Sequence, residues 1–242
     1  MAHALDPHGP GPHGPVPPVP VPHRQFIVRL NRREYVLLRE ALTDGFIIVW
    51  LGDSHARNVS QRNRRRPGNF PIPPTIRFVG QGGRNIASFV RNHYQQAIDV
   101  LPTNTLQRIG ILWLGSNDID VGSWPRGTPM NKAANELLSL RDSLLNHYDY
   151  VFIVGFPERD FCRQNNPDLV HRLSMKCNQR LNNAIKGWYI MLPRWAFSWT
   201  DDSRFCPDGV HFCNALYNFI LHYVQQKIRA IMIGDPEYVI ID

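Results

Sequence analysis

Long apolar runs are absent from this 242-residue sequence. The longest continuous one covers residues 46–51, far below the roughly 18 residues that a membrane-spanning helix needs. The first 25 residues lack a basic start followed by an apolar region, so no secretory signal is visible. We therefore expect no membrane span and a cytoplasmic location.

Cysteine is also scarce. The chain has four, namely Cys162, Cys177, Cys206 and Cys213, which are too few for a disulfide scaffold. The spacing of Cys206 and Cys213 allows a local disulfide, although a reduced pair is what we expect of a cytosolic protein. No zinc-type spacing is present, because His211 between those two cysteines would complete only three ligands. We expect no metal and no organic cofactor.

Acidic residues are outnumbered by basic ones. The 27 lysines and arginines exceed the 20 aspartates and glutamates, which gives a net charge of +7. Four arginines cluster at Arg62, Arg64, Arg65 and Arg66. Such a cluster can attract nucleic acid or another polyanion, or steer small acidic substrates. Because no aromatic residues are interleaved with the arginines, a solvated arginine-rich loop is the simpler interpretation.

The organisation of the chain follows from its composition. Residues 6–23 hold eight prolines and three glycines and cannot build a core. We therefore predict that residues 1–24 are a disordered tail or linker rich in Pro, Gly and His, and that residues 25–242 form a single domain.

Within that domain, apolar runs alternate with helical patterns. The runs predict strands at 46–51, 75–79, 109–114, 150–156 and 188–192. The 3.6-residue patterns predict helices at 131–148, 168–187 and 212–231. This alternation indicates an α/β fold with an open, mostly parallel sheet, in which sites form at the carboxyl ends of the strands.

Chemically useful residues stand where the first three strands end and before the last helix. They are Gly52-Asp53-Ser54-His55, Gly80-Gln81-Gly82-Gly83-Arg84-Asn85, Gly115-Ser116-Asn117-Asp118 and Asp208-Gly209-Val210-His211. A serine at the tip of the first strand would stand at the N-terminus of the next helix. The helix dipole there favours the negative charge that develops during a reaction. His211 can act as a base that Asp208 orients. The glycines and the Asn117 amide can stabilise an oxyanion, so the set is suited to acyl transfer.

Each motif also has a purely structural interpretation. Ser54 could be a helix N-cap. Asn117 and Asp118 could form a turn or a cap. Residues 208–211 could be a tight turn with glycine at positive φ.

These four blocks, in this order, resemble the SGNH hydrolases, also called the GDSL-type esterases and lipases. The resemblance covers residues 45–232. It implies a three-layer α/β/α sandwich of the flavodoxin-like kind, with a five-stranded sheet. The elbow Gly-x-Ser-x-Gly of the other large esterase fold is absent, because Ala56 occupies its fifth position.

The resemblance also implies a role for each residue. Ser54 would be the nucleophile, His211 the general base and then acid, and Asp208 the group that orients it. The backbone N–H groups of Ser54 and Gly83 would form the oxyanion hole with the Asn117 amide, with Gly82 as the alternative to Gly83. One departure is His55, where the family usually has leucine.

The function that this resemblance implies is a serine esterase acting on short acyl or acetyl esters of a lipid, a sugar or a small molecule. An acyltransferase would use the same residues. A catalytically weak module that binds nucleic acid or another anionic partner is the alternative from a different class. Similar esterase domains occur in some animal retrotransposons, which the basic loop would suit.

Overall fold

A computed structural model describes residues 45–68, 74–103, 107–119, 129–157, 166–192, 205–208 and 210–232. Its centre is one five-stranded sheet made of β1 (Phe46–Gly52), β2 (Thr75–Gly80), β3 (Gln107–Trp113), β4 (Tyr150–Val154) and β5 (Tyr189–Ile190). The strand order is β2-β1-β3-β4-β5, and every neighbouring pair is parallel. The predicted parallel sheet is confirmed.

Five helices accompany the sheet in the described residues. They are α1 (Ser54–Arg65), α2 (Ile86–Asp99), α3 (Lys132–Leu144), α4 (Pro167–Ile185) and α5 (Asn214–Met232). The last three match the helical patterns to within a few residues at each end. The first two directly follow the polar blocks after β1 and β2, so each places a helix N-terminus at the same edge of the sheet.

The helices cover both faces of the sheet. Phe46, Ile48 and Trp50 of β1 pack with residues of α1 and α5 in one core cluster. The intervening Ile47, Val49 and Leu51 pack with residues of α2, α3 and α4 in the other. A strand buried on both faces has no polar positions, which explains the continuous apolar run. The predicted three-layer α/β/α sandwich is therefore confirmed.

The last two strands are shorter than predicted. After Val154 the Gly155 N–H still bonds to the Ile190 carbonyl at 3.0 Å, but the N–H of Phe156 donates 2.8 Å to the Asn178 side chain of α4. The fifth strand begins only at Tyr189, because Lys186–Trp188 form a 3-10 turn after α4. Trp188 therefore belongs to that turn, where its ring stacks on Tyr150.

The carboxyl ends of the three central strands lie side by side. Gly52 pairs with Gly80 of β2 and with Trp113 of β3. A Cβ on Gly52 would stand 1.9 Å from the Trp113 carbonyl oxygen, and one on Gly80 would stand 1.8 Å from that of Gly52. Both glycines have positive φ. Only glycine allows this close approach, which brings the three polar loops to one edge.

Two predictions concern other parts of the chain. The tail at 1–24 and the domain start at residue 25 lie outside the described residues. Among the described helices, none combines the length and apolar character that crossing a bilayer requires.

Candidate active site

Ser54 is the first residue of α1, and the residue before it caps the helix. The Asp53 carboxylate accepts a 2.9 Å hydrogen bond from the His55 N–H and a 2.8 Å bond from the Ser116 hydroxyl. Asp53 is almost completely buried. The N-cap interpretation of Ser54 is therefore wrong, since Asp53 has that role, and the Ser54 hydroxyl is available for another partner.

That partner is His211. The Nε2 atom of His211 lies 2.7 Å from the Ser54 Oγ, and its Nδ1 lies 2.5 Å from the Asp208 Oδ2. Ser54 comes from the tip of β1, whereas His211 and Asp208 come from the loop before α5. The structure thus joins three residues, predicted from two motifs far apart in the sequence, into one hydrogen-bonded chain.

Local hydrogen bonds hold the loop of Asp208. Its Oδ1 accepts 2.9 Å bonds from the N–H groups of Val210 and His211. Burial alone would raise the pKa of Asp208, but its hydrogen bonds with the His211 ring and with these two N–H groups lower the pKa to about 2. Asp208 is therefore ionised at neutral pH and accepts from the His211 ring.

The residues expected to form an oxyanion hole lie on the neighbouring loops. A Cβ on Gly82 would be 3.5 Å from the Ser54 Cβ, so Gly82 borders the serine. Gly83 has φ of +73°, and nothing lies within 4 Å of the position that a Cβ would take there. The Asn117 amide donates 3.0 Å to the Arg84 carbonyl, which ties the loop after β3 to the glycine loop. The assignment of Gly83 or Gly82 as the donor stays a prediction.

Asp118 forms a second tie between the same two loops. Both of its carboxylate oxygens accept from the Ile86 N–H at the start of α2, at 3.0 and 3.3 Å. Burial raises the pKa of Asp118 to about 7, helped by repulsion from Glu136 and Asp53 and opposed by the Ile86 bond. The carboxyl group therefore titrates near neutrality.

The raised pKa makes stability depend on pH. The folded protein holds the Asp118 proton more tightly than the unfolded chain, so this stabilisation is complete below about pH 4 and is lost as the pH rises through about 7. We expect Asp118→Asn, which keeps an oxygen for Ile86, to remove that loss. The wild type should lose on the order of 2 kcal/mol more than the variant between pH 5 and 8. Urea unfolding of both proteins at the two pH values measures the difference, and parallel losses would contradict it.

His55 lies beneath the catalytic candidates. It is almost fully buried, stacks on Trp113 with ring centroids 5.2 Å apart, and lies 5.5 Å from the His211 ring. Its Nδ1 is 3.0 Å from the Tyr217 hydroxyl, which accepts from the Asn58 amide at 3.1 Å. This network joins α1 to α5 behind His211. The only indication of this network in the sequence is His55 itself, which stands where the family usually has leucine.

The arginine cluster is not the loop that we expected, because Arg62, Arg64 and Arg65 belong to α1 and Arg66 caps its end. The cluster separates into two parts. Arg62 donates to the Asn58 carbonyl and to the Asn214 side chain, and its guanidinium lies over the Tyr217 ring. It therefore connects α1 with α5. The other three, Arg64, Arg65 and Arg66, are exposed at the end of α1.

The cysteines near His211 are thiols. Cys206 and Cys213 are not joined by a disulfide, and the Cys206 thiol donates to the Phe212 carbonyl at 3.2 Å. Within the ranges that the structure describes, no group of three or more His, Cys, Asp or Glu side chains could hold a metal ion.

Solved structures of bacterial hydrolases share this fold. A lipase/acylhydrolase from Enterococcus faecalis aligns with a TM-score of 0.56 at 14% identity, covering 76% of this chain and 95% of its own. A lipolytic protein of the G-D-S-L family from Veillonella parvula aligns with a TM-score of 0.55 at 14% identity, covering 75% of this chain and 97% of its own. A catalytic mutant of an acetylxylan esterase from Geobacillus stearothermophilus aligns with a TM-score of 0.54 at 12% identity, covering 78% of this chain and 94% of its own.

These similarities are structural. No family model and no curated protein matches the sequence. Nothing in the compared structures supports an origin in a retrotransposon. The sheet order, the two helical layers and the alignments over most of each bacterial chain agree. The protein therefore has the fold of the SGNH, or GDSL-type, hydrolases.

Proposed function

We propose that the protein is a serine esterase that cleaves carboxylic esters through an acyl-enzyme on Ser54. The observation that carries the proposal is the hydrogen-bonded chain from Ser54 through His211 to Asp208, with distances of 2.7 and 2.5 Å. It lies at the carboxyl edge of a parallel sheet, where α/β proteins place their sites.

The acylation step follows from this chain. The Ser54 oxygen attacks the ester carbonyl carbon while its proton moves to Nε2 of His211. The tetrahedral intermediate collapses as the carbon–oxygen bond to the alcohol breaks, and the alcohol leaves with the proton from His211. The ionised Asp208 keeps the other ring proton on Nδ1, which leaves Nε2 able to accept from serine.

The oxyanion of that intermediate would be stabilised at the N-terminus of α1. The Ser54 N–H, the N–H of Gly83 or Gly82, and the Asn117 amide are the candidate donors. Removal of one such donor costs roughly 100- to 1000-fold in other serine hydrolases. The helix dipole adds to the same stabilisation.

Deacylation would repeat these steps with water as the nucleophile. Water gives its proton to His211 and attacks the acyl carbon, and Ser54 leaves with the proton returned. An alcohol acceptor in place of water would make the protein an acyltransferase. The proposal includes both reactions, because both proceed through the same acyl-enzyme.

The described activities of the similar structures favour ester substrates. One neighbour is described as a lipase/acylhydrolase and another as an acetylxylan esterase. Two structures of the acetylxylan esterase are described as catalytic mutants, one with an aspartate and one with a serine replaced by alanine. Aspartate and serine are the residue types of Asp208 and Ser54. We therefore propose short acyl groups, such as acetyl, as the first candidates. Nothing in these neighbours favours the nucleic-acid-binding alternative.

A covalent label tests the proposal directly. An alkyl fluorophosphonate reacts with a serine only when that serine is activated, forming an oxygen–phosphorus bond as fluoride leaves. We expect intact-protein mass spectrometry to show one adduct per chain, and peptide mapping to place it on Ser54. His211→Gln should lose the adduct, since nothing would accept the serine proton. A folded wild type that acquires no adduct on Ser54 would refute a serine-esterase mechanism.

A further inference from the structure

Arg57 lies beside the proposed nucleophile. It follows Ser54 by three residues on α1, which places both on one helix face. A Cβ on Gly82 would be 3.5 Å from the Ser54 Cβ and 4.0 Å from Arg57 Nη2. The guanidinium and the serine side chain therefore border the same small space above the glycine loop.

This guanidinium has no acidic partner in the part of the chain that the structure describes. Arg57 is exposed, and none of the hydrogen bonds or ion pairs of the described residues involves its side chain. Arg84, on the same glycine loop, is also exposed, and its Nε donates 3.0 Å to the neutral Gln81 amide. Among the described residues, no carboxylate forms an ion pair with Arg57 or with Arg84.

The carboxylates closest to the site in sequence are otherwise engaged. Asp53 is buried and accepts from Ser116 and from the His55 N–H. Asp118 is bound to the Ile86 N–H, and Asp208 to His211. Among the described residues, none of these three carboxylates is therefore paired with Arg57 or Arg84, in a chain whose net charge is +7.

We propose that the substrate is an ester bearing a negatively charged group, held by Arg57 with Arg84 as the second cation. This inference rests on the proposed esterase function and specifies its substrate class. The charge belongs to the acyl part, because the leaving alcohol must face His211 to receive its proton, whereas Arg57 borders Gly82. A carboxylate at the far end of a short acyl chain has the required chemistry, since guanidinium binds it with paired hydrogen bonds.

Matched chromogenic esters test this substrate class. The 4-nitrophenyl esters of hexanoic acid and of adipic acid (as the half-ester) share the leaving group and the acyl length, and differ in a terminal methyl or carboxylate. We expect the wild type to prefer the adipate half-ester in kcat/KM. Arg57→Gln should lower the ratio of the two kcat/KM values about tenfold, and Arg57→Gln/Arg84→Gln further, because a charge-assisted hydrogen bond is lost in each case. Raising the salt concentration should lower the wild-type ratio as well.

Arg64→Gln is the matched control, since Arg64 is exposed on the same helix but three turns from Ser54 by sequence. It should leave the ratio unchanged. A ratio that stays the same in the Arg57 and Arg84 variants, with hydrolysis still dependent on Ser54, would overturn the anionic substrate but not the esterase. Rates that Ser54→Ala does not reduce would overturn the esterase itself.

The position of the charge is tested by a second pair. In 4-acetoxybenzoate the carboxylate is on the alcohol side, and its methyl ester is the neutral counterpart. We expect Arg57→Gln to change the ratio of this pair less than that of the acyl pair. A larger change would overturn the placement on the acyl side.

Discussion

Ser54→Ala is expected to lower kcat for 4-nitrophenyl acetate by roughly 10³- to 10⁵-fold, with KM changed little. The variant keeps the fold, the glycine loop and Asn117 but lacks the oxygen that forms the acyl-enzyme. Loss of the nucleophile in a serine triad leaves only the smaller catalysis that the oxyanion donors and substrate binding provide.

His211→Ala should have an effect of similar size, because Ser54 would lose the base 2.7 Å away. The two effects should not add, since both residues act in the same step. We therefore expect Ser54→Ala/His211→Ala to be no slower than either single variant. Steady-state kinetics of the four proteins gives the comparison. Additive losses would show that serine and histidine act independently and would contradict the proposed triad.

The control for these variants is their unfolding. Ser54 is buried and His211 is half-buried, but both are polar residues at the carboxyl edge of the sheet and fill no part of the apolar core. Their replacement by alanine should therefore move the urea midpoint only slightly. A variant that is both inactive and strongly destabilised would have lost its activity because it does not fold. The activity of Ser54→Cys would then be compared with that of the wild type instead.

Gly52→Ala is expected to prevent stable folding, with a cost above about 4 kcal/mol. The added Cβ would lie 1.9 Å from the Trp113 carbonyl oxygen, and the residue has φ of +152°, which side chains rarely adopt. The contact is to backbone in a parallel ladder, so no side-chain rotation can relieve it. Because β1 and β3 are both buried, a shift of one strand would disturb both core clusters.

Gly187→Ala is the matched control, since nothing lies within 4 Å of a Cβ at that position. We expect its free energy of unfolding to differ from that of the wild type by no more than about 0.5 to 1 kcal/mol. Soluble yield, circular dichroism and urea unfolding of the two variants supply the comparison. Equal stability of Gly52→Ala and the wild type would show that the strand ends do not approach as closely as described.

Much of this architecture could be predicted from the sequence because its signals are local. The run at 46–51 marks a strand buried on both faces, whatever the rest of the chain does. The loops after β1, β2 and β3 were predicted to meet because the ends of parallel strands share one edge. By the same argument Ser54 and Asn117 became candidates for a common site before any distance was known.

Other features depend on contacts that no local pattern contains. The cap of α1 is Asp53 rather than Ser54, and its second partner, Ser116, comes from a different strand end. Arg62 was grouped with the exposed arginines, but its partners Asn214 and Tyr217 lie on the last helix. The fifth strand was predicted too long because the apolar Trp188 has the composition of a strand, although it packs in a turn.

The sequence by itself determined the places of the five strands and of three of the helices, the alternation that buries the sheet on both faces, and the residue types at the strand ends; it predicted no range for α1 or α2. Only the tertiary structure decided that His211 bonds to Ser54, that His55 lies beneath them, and that Arg57 borders the same space as the serine. The physical reason is that hydrophobic periodicity and turn chemistry act over a few neighbouring residues. A site is made by side chains far apart in sequence, and their distances are set by the packing of whole helices and strands.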